Sequence, residues 1–85
     1  IGVSKSKTFY IVTDKDEEVK EFIINKLGHS ATIIDARGGY SNKKNKIIMA
    51  TIPTKEYFIV KEFVQELDKK SFFLITDTYE VSGGR

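Results

Sequence analysis

The sequence predicts an α+β domain with four strands and two helices in the order βαββαβ. Four segments are rich in β-branched and aromatic residues, near positions 8–13, 31–37, 46–52 and 71–81. The segments that follow the first and third of these carry apolar residues at helical spacing instead. This order is that of the ferredoxin-like split arrangement. We therefore expect an antiparallel sheet of strand order 4-1-3-2 with both helices on one face.

The first helix should begin just after the first strand. Asp14 is a favourable N-cap, with Glu17 three residues later, and the acidic residues 16–18 match the positive end of the helix dipole. Gly28 supplies a C-terminal stop. Four apolar residues share one helical face between these limits: Val19, Phe22, Ile23 and Leu27.

The second helix repeats this pattern. Pro53 ends the third strand, and Thr54 is a natural N-cap for a helix that extends to about residue 67. Residues 19–23 read VKEFI and residues 60–64 read VKEFV, which places the two helices in equivalent halves of the fold. The apolar face of the second helix consists of Val60, Phe63, Val64 and Leu67.

The composition excludes several classes of function. The chain has 85 residues, 40% hydrophobic and 31% charged, enough for one domain. A net charge of +2 is too small to indicate nucleic acid, and no apolar run is long enough to span a bilayer. Without cysteine and with His29 alone, we expect no metal site and no cofactor, and His29 is interpreted as a surface turn residue. No catalytic constellation is present, so we expect no enzyme.

The domain boundaries follow from the ends of the chain. Residues 1–7 are polar and are interpreted as a linker from a preceding region of a longer protein. Residues 8–81 are then the domain, and residues 82–85 are expected to fray.

The connection between the second and third strands is the one candidate site. About eight polar residues join the strands, more than a tight hairpin needs. Adjacent glycines let backbone N–H groups approach an anion, and the cations of the hairpin, including Lys46, supply charge. Lys69 and Lys70 should lie at the same end of the sheet. The predicted ligand-binding residues are Arg37, Gly38, Gly39, Tyr40, Ser41, Lys43, Lys44, Lys69 and Lys70. The alternative is that these lysines are solvated and only limit aggregation.

The strands are apolar on both faces. Phe9 and Ile11 alternate with Tyr10 and Val12, whereas a strand with one wet face should alternate apolar and polar residues. We therefore expect the helix-free face to be covered by another copy of the chain, as a homo-oligomer, or by a neighbouring domain.

Three stretches carry a resemblance to a known family. They are residues 7–15 (KTFYIVTDK), residues 31–41 (ATIIDARGGYS) and residues 75–81 (ITDTYEV) followed by Gly83 and Gly84. The chain resembles the soluble C-terminal domain of YitT-family bacterial membrane proteins. It departs from the family pattern at Asn42, where another glycine is usual, and at Lys69, where a proline is frequent.

The resemblance implies a domain on the cytoplasmic face of the cell membrane, attached to the membrane-spanning region of its parent chain. The fold is also distantly similar to PII-type signalling proteins, which bind nucleotides near the corresponding hairpin. We therefore expect a regulatory or sensor domain that binds a small anionic ligand, such as a nucleotide or cyclic dinucleotide. The alternative is a purely structural oligomerisation domain without a ligand.

Overall fold

The computed structural model describes residues 5–79 and contains four strands and two main helices. The strands are β1 (Ser6–Val12), β2 (Thr32–Arg37), β3 (Lys44–Pro53) and β4 (Phe72–Thr78). The first helix consists of α1 (Asp16–Glu21) and a π-helical continuation, Phe22–Lys26. A 3-10 turn, Thr54–Glu56, leads into α2 (Tyr57–Leu67).

The sheet has the predicted topology. Its strand order is β2-β3-β1-β4, and every neighbouring pair is antiparallel. β1 and β3 are the central strands and β2 and β4 are the edges, so each helix connects a central strand to an edge strand. The predicted α+β fold of order 4-1-3-2 is therefore confirmed.

The core lies between one face of the sheet and the two helices. Phe9 and Ile11 of β1 point into it, opposite the buried Val19 and Ile23 of the first helix. Val60 and Val64 occupy the equivalent positions of α2 and are also buried. Phe22 and Phe63 stack with ring centroids 3.9 Å apart and planes at 3°. The repeated sequence therefore puts matching side chains at matching positions, as predicted.

The helix starts differ from the prediction. Asp14 is not the N-cap, because α1 begins at Asp16 after Lys15, and no side chain caps it. Instead, the Thr13 hydroxyl accepts a hydrogen bond from the Lys15 N–H at 3.0 Å, so the chain forms a short turn before the helix. Thr54 likewise opens the 3-10 turn and makes no side-chain cap.

The end of the first helix follows the prediction. Gly28 has a φ of 75°, and the His29 N–H donates to the Ile23 carbonyl at 3.0 Å. His29, predicted as a surface turn residue, follows the helix and is partly buried, with its side chain 23% exposed. It also has a partner that was not predicted, because its Nε2 lies 2.7 Å from Glu56 Oε1. The two residues are 27 positions apart, so sequence proximity gave no indication of this pair.

Strands β1 and β3 are longer than predicted. β1 begins at Ser6, so residues 6 and 7, predicted as linker, belong to the sheet. β3 begins at Lys44 rather than Lys46 and ends at Pro53. Residues 1–4 and 80–85, which include the rest of the linker, the last positions of the predicted fourth strand and the tail, lie outside the described residues.

Candidate ligand-binding cleft

The connection between β2 and β3 is shorter than the sequence indicates. The Gly38 N–H donates to the Lys43 carbonyl at 2.8 Å, and the Asn42 N–H donates to the Gly38 carbonyl at 3.0 Å. Asn42 adopts a left-handed conformation with φ of 61°, which asparagine tolerates well. The strands extend to Arg37 and from Lys44, so only residues 38–43 connect them.

Gly38 and Ser41 take part in contacts within this loop. A Cβ on Gly38 would lie 2.7 Å from Ser41 Oγ, whereas a Cβ on Gly39 would meet open space. Ser41 Oγ in turn accepts a hydrogen bond from the Lys43 N–H at 3.1 Å. The backbone donor of Gly38 and the hydroxyl oxygen of Ser41 are thus engaged within the loop. Tyr40 is fully exposed at the tip.

An open cleft lies beside the base of the hairpin, on the helix side of the sheet. Its volume is about 890 Å³, which is within the range of small-molecule sites. The start of the first helix forms one wall and the strand ends of the hairpin form the other. The lining residues are Asp14, Asp16, Asp35, Ala36, Arg37, Lys44, Asn45 and Lys46.

The cleft contains only part of the predicted site. Arg37 and Lys44 line it, together with Lys46. The other predicted residues do not line it: Gly38, Gly39, Tyr40, Ser41, Lys43, Lys69 and Lys70. The acidic wall formed by Asp14 and Asp16 was not predicted. The signal that could have found it is the direction of β1, which ends, and leads into the first helix, at the hairpin end of the sheet.

Two hairpin lysines are already paired with carboxylates. Lys46 Nζ lies 2.7 Å from Asp35 Oδ1, directly across the β2–β3 pair, and Lys43 Nζ lies 3.8 Å from Asp14 Oδ1. The hydrogen bond from Lys46 lowers the pKa of Asp35, and the same hydrogen bond raises the pKa of Lys46. Both groups are solvated, so this pair contributes little to stability.

Within the described residues, Arg37 and Lys44 have no such carboxylate partner. They are directly opposite one another in the β2–β3 register. Since the hydrogen-bonded pair Gly38–Lys43 follows, this is a non-hydrogen-bonded pair, in which Cα atoms lie about 4.5 Å apart and side chains are close. Like charges directly opposite are destabilising. Among residues 5–79, neither side chain forms an ion pair with a carboxylate.

The turn before β4 lies at the same end of the sheet but outside the cleft. The Thr13 hydroxyl donates to Asp68 Oδ2 at 2.6 Å, and the Lys70 N–H donates to Asp68 Oδ1 at 3.0 Å. The hydrogen bond from Thr13, followed by that from the Lys70 backbone, lowers the pKa of Asp68. This contact fixes the backbone around Lys69 and Lys70, and sequence inspection did not identify it.

Within the described residues, no group of three or more histidine or acidic side chains could hold a metal ion. In the same part of the chain, no helix has the length and apolar character required to cross a membrane.

Comparison with known proteins places the chain among bacterial relatives. A family model described as "Uncharacterized protein conserved in bacteria (DUF2179)" matches residues 29–83. The chain is 42% identical over 82 residues to the UPF0750 membrane protein YdeO of Bacillus subtilis (strain 168), covering 96% of this chain and 28% of that protein. The UPF0750 membrane protein YitT of the same strain is 32% identical over 76 residues, covering 89% and 27%. The chain thus spans less than a third of either relative, and neither is named as an enzyme.

A solved structure supports the fold independently. The crystal structure of an uncharacterised DUF2179 protein from Eubacterium ventriosum matches with a TM-score of 0.71 at 22% identity, covering 85% of this chain and 99% of that one. Together with the sequence matches, it confirms the predicted resemblance to YitT-family proteins.

Proposed function

The chain belongs to the DUF2179 family of bacterial proteins, and on that premise we propose that it is a regulatory domain of a membrane protein that binds a small anionic ligand. The ligand occupies the cleft between the hairpin base and the start of the first helix. The domain communicates its ligand-bound state to the membrane-spanning region of the parent chain.

The opposed pair Arg37–Lys44 is the observation that carries this proposal. Two cations that face one another on neighbouring strands repel, and an anion between them converts that repulsion into two attractive contacts. A guanidinium also offers two parallel donors that match the oxygens of a phosphate. Arg37 and Lys44 both line the cleft, so a phosphate group bound between them would extend into it.

The opposite wall favours a ligand with hydroxyl groups as well. Asp14 and Asp16 present carboxylates, which accept hydrogen bonds but repel a second phosphate. A nucleotide satisfies both walls, because its phosphate pairs with the cations and its ribose hydroxyls donate to the carboxylates. Tyr40 lies outside the cleft and would contact only a ligand that reaches past the hairpin tip.

A thermal-unfolding titration tests the proposal. The unmodified chain is mixed with inorganic phosphate, nucleotides and cyclic dinucleotides at constant ionic strength. A ligand present at about 100 times its dissociation constant adds about 2.7 kcal/mol to the free energy of unfolding. The variant Arg37→Gln/Lys44→Gln should lose this response. The matched control Lys69→Gln/Lys70→Gln removes the same charge from the same end of the sheet, outside the cleft, and should keep it.

The unliganded proteins provide a second readout. If Arg37 and Lys44 repel one another, low concentrations of salt should stabilise the unmodified chain by screening them. Arg37→Gln/Lys44→Gln should then be no less stable than the unmodified chain without ligand. The proposal fails if no ligand in the panel shifts the melting temperature, or if both double variants respond alike.

A structural assembly domain without a ligand is the second candidate. It is favoured by the ion pairs Lys46–Asp35 and Lys43–Asp14, which already neutralise two of the hairpin cations. The same titration separates the candidates, because an assembly domain responds to none of the anions.

The cytoplasmic face is the proposed location, since nucleotides are available there. The chain contains no cysteine, so Tyr40→Cys in the parent protein adds one exposed thiol at the hairpin tip. A membrane-impermeant maleimide should label it in lysed cells and not in intact cells, with the unsubstituted parent protein as the background control. Labelling in intact cells would place the domain outside.

A further inference from the structure

The helix-free face of the sheet carries one apolar row that runs across all four strands. In the register of the sheet, Ile34, Ile47, Val12 and Phe72 lie side by side in one row. Phe72 is 67% exposed, and Ile34 is also exposed. A row of four apolar side chains on the open face leaves a large hydrophobic surface in contact with water.

A second row lies directly beside the first. Thr32, Met49, Tyr10 and Leu74 are neighbours across the strands, and Leu74 is 54% exposed. Tyrosine, phenylalanine and methionine are enriched in the cores of protein interfaces, where charged residues are depleted. This composition fits an interface better than a solvated sheet face.

The third row is polar and consists of Thr51, Thr8 and Thr76, and the hydroxyls of Thr8 and Thr51 are paired with one another. Thr8 is central, and its Oγ1 lies 2.9 Å from Thr51 Oγ1 and also bonds to the hydroxyl of Thr78. Because these groups already have protein partners, a covering surface would remove water from them at little cost.

The distribution of charge is the decisive observation. The four strands contain six charged residues, and the alternation of the sheet places all of them on the helix side: Lys7, Asp35, Arg37, Lys44, Lys46 and Asp77. The face that should be solvated therefore carries no charge in any strand, although 31% of the chain is charged. Soluble sheet faces normally show the opposite arrangement, with polar and charged residues outward.

We propose that the helix-free face is covered by a second copy of this chain, packed sheet against sheet. A neutral surface meets an identical neutral surface without like-charge repulsion, whereas a charged partner would find nothing to complement. An anionic lipid surface is disfavoured for the same reason, since no strand cation points that way. Two such sheets pack about 10 Å apart with interdigitating side chains.

The area sets the expected strength. Four strands about 4.8 Å apart and seven residues of about 3.3 Å each give a projected face of roughly 440 Å². Side-chain relief makes the accessible area larger, but the interface is still at the small end of the range for specific complexes. We therefore expect a dimer with a dissociation constant on the order of micromolar. This inference does not depend on the ligand proposal.

Sedimentation velocity tests it with matched variants. The chain is measured from about 0.1 to about 100 µM, which brackets a dissociation constant on the order of micromolar. The unmodified chain should change from monomer to dimer, and Leu74→Glu should remain monomeric because it would bury an unpaired charge. The control Phe58→Glu changes a residue on α2 that is 63% exposed, on the other side of the molecule, and should still dimerise.

A second interface variant shows whether loss of the dimer results from misfolding. Thr76→Lys adds a charge to the same exposed face without removing an apolar contact, and it should also be monomeric with an unchanged far-UV spectrum. Both interface variants should keep any response to anions, which separates failure of the interface from failure of the cleft. A chain that stays monomeric at all concentrations overturns the proposal. So does dimerisation of Leu74→Glu or Thr76→Lys in a folded state, or loss of the dimer in Phe58→Glu.

Discussion

The stack of Phe22 on Phe63 joins the two helices at equivalent positions of the repeat. With ring centroids 3.9 Å apart and planes at 3°, the two rings are parallel and in van der Waals contact. Aromatic pairs are worth about 0.5–1.5 kcal/mol beyond the burial of the rings. We therefore expect a coupling free energy of about 1 kcal/mol between the two side chains.

A double-mutant cycle with Phe22→Leu and Phe63→Leu measures this coupling. Leucine keeps an apolar side chain at each position and removes the ring. Each single variant should lose about 1–2 kcal/mol of unfolding free energy in urea, and the double variant should lose about 1 kcal/mol less than the sum. For a domain of this size, 1 kcal/mol corresponds to about 4–8 °C in melting temperature.

The control cycle pairs Phe22→Leu with Phe72→Leu, which lies on the opposite face of the sheet. These two changes should be additive within about 0.5 kcal/mol. If the Phe22–Phe63 cycle is equally additive, the ring contact contributes nothing beyond burial, and the argument from its geometry is refuted.

Three further predictions concern the core, the hairpin and the response to acid. Ile23→Ala should lower the free energy of unfolding in urea by about 2–5 kcal/mol, because Ile23 is fully buried. Ile24→Ala should lower it by less than about 1 kcal/mol, because Ile24 is 39% exposed, and equal losses would contradict the packing of the π-helical segment. Gly39→Ala should raise the free energy of unfolding by about 0.4–1 kcal/mol, since the added Cβ meets open space. Gly38→Ala should raise it less, because the added Cβ displaces the Ser41 hydroxyl. The reverse order would refute the loop geometry. The pKa of Asp68 is lower in the folded than in the unfolded state, so this carboxylate stabilises the fold above the unfolded pKa of about 3.8. That stabilisation is lost as the pH falls through the lower folded pKa. The melting temperature of Asp68→Asn should therefore fall less steeply in acid than that of the unmodified chain.

The fold was predictable because the apolar periodicity and the order of elements agree. Val60 and Val64 are buried at the spacing the sequence indicates, and their counterparts in the first helix behave alike. The helix starts were not predictable from capping preferences. Thr13 bonds to both the Lys15 backbone and the distant Asp68, and this tertiary contact determines where the first helix begins.

The residues of the candidate cleft were predicted only in part, and their arrangement was not predicted. Arg37 and Lys44 were both named as candidates, yet their direct opposition depends on the register set by a left-handed Asn42. The sequence alone allows other loop conformations with different registers. The pairing of Lys43 with Asp14 also depends on how the hairpin approaches the first helix, which the strand patterns do not determine.

β2 is an edge strand whose side chains, apart from Ala36, are exposed, including Ile33 and Ile34 on its two faces. In the described part of the chain it pairs with β3 alone, so separating it from the sheet exposes little of the core. Its amide protons should therefore exchange with solvent through local opening, while those of the central β1 exchange only when the whole domain unfolds. Any molecule that binds both to Arg37 and to the start of the first helix would link β2 to the rest of the domain and oppose its local opening. Occupancy of the cleft should therefore slow amide hydrogen exchange along all of β2.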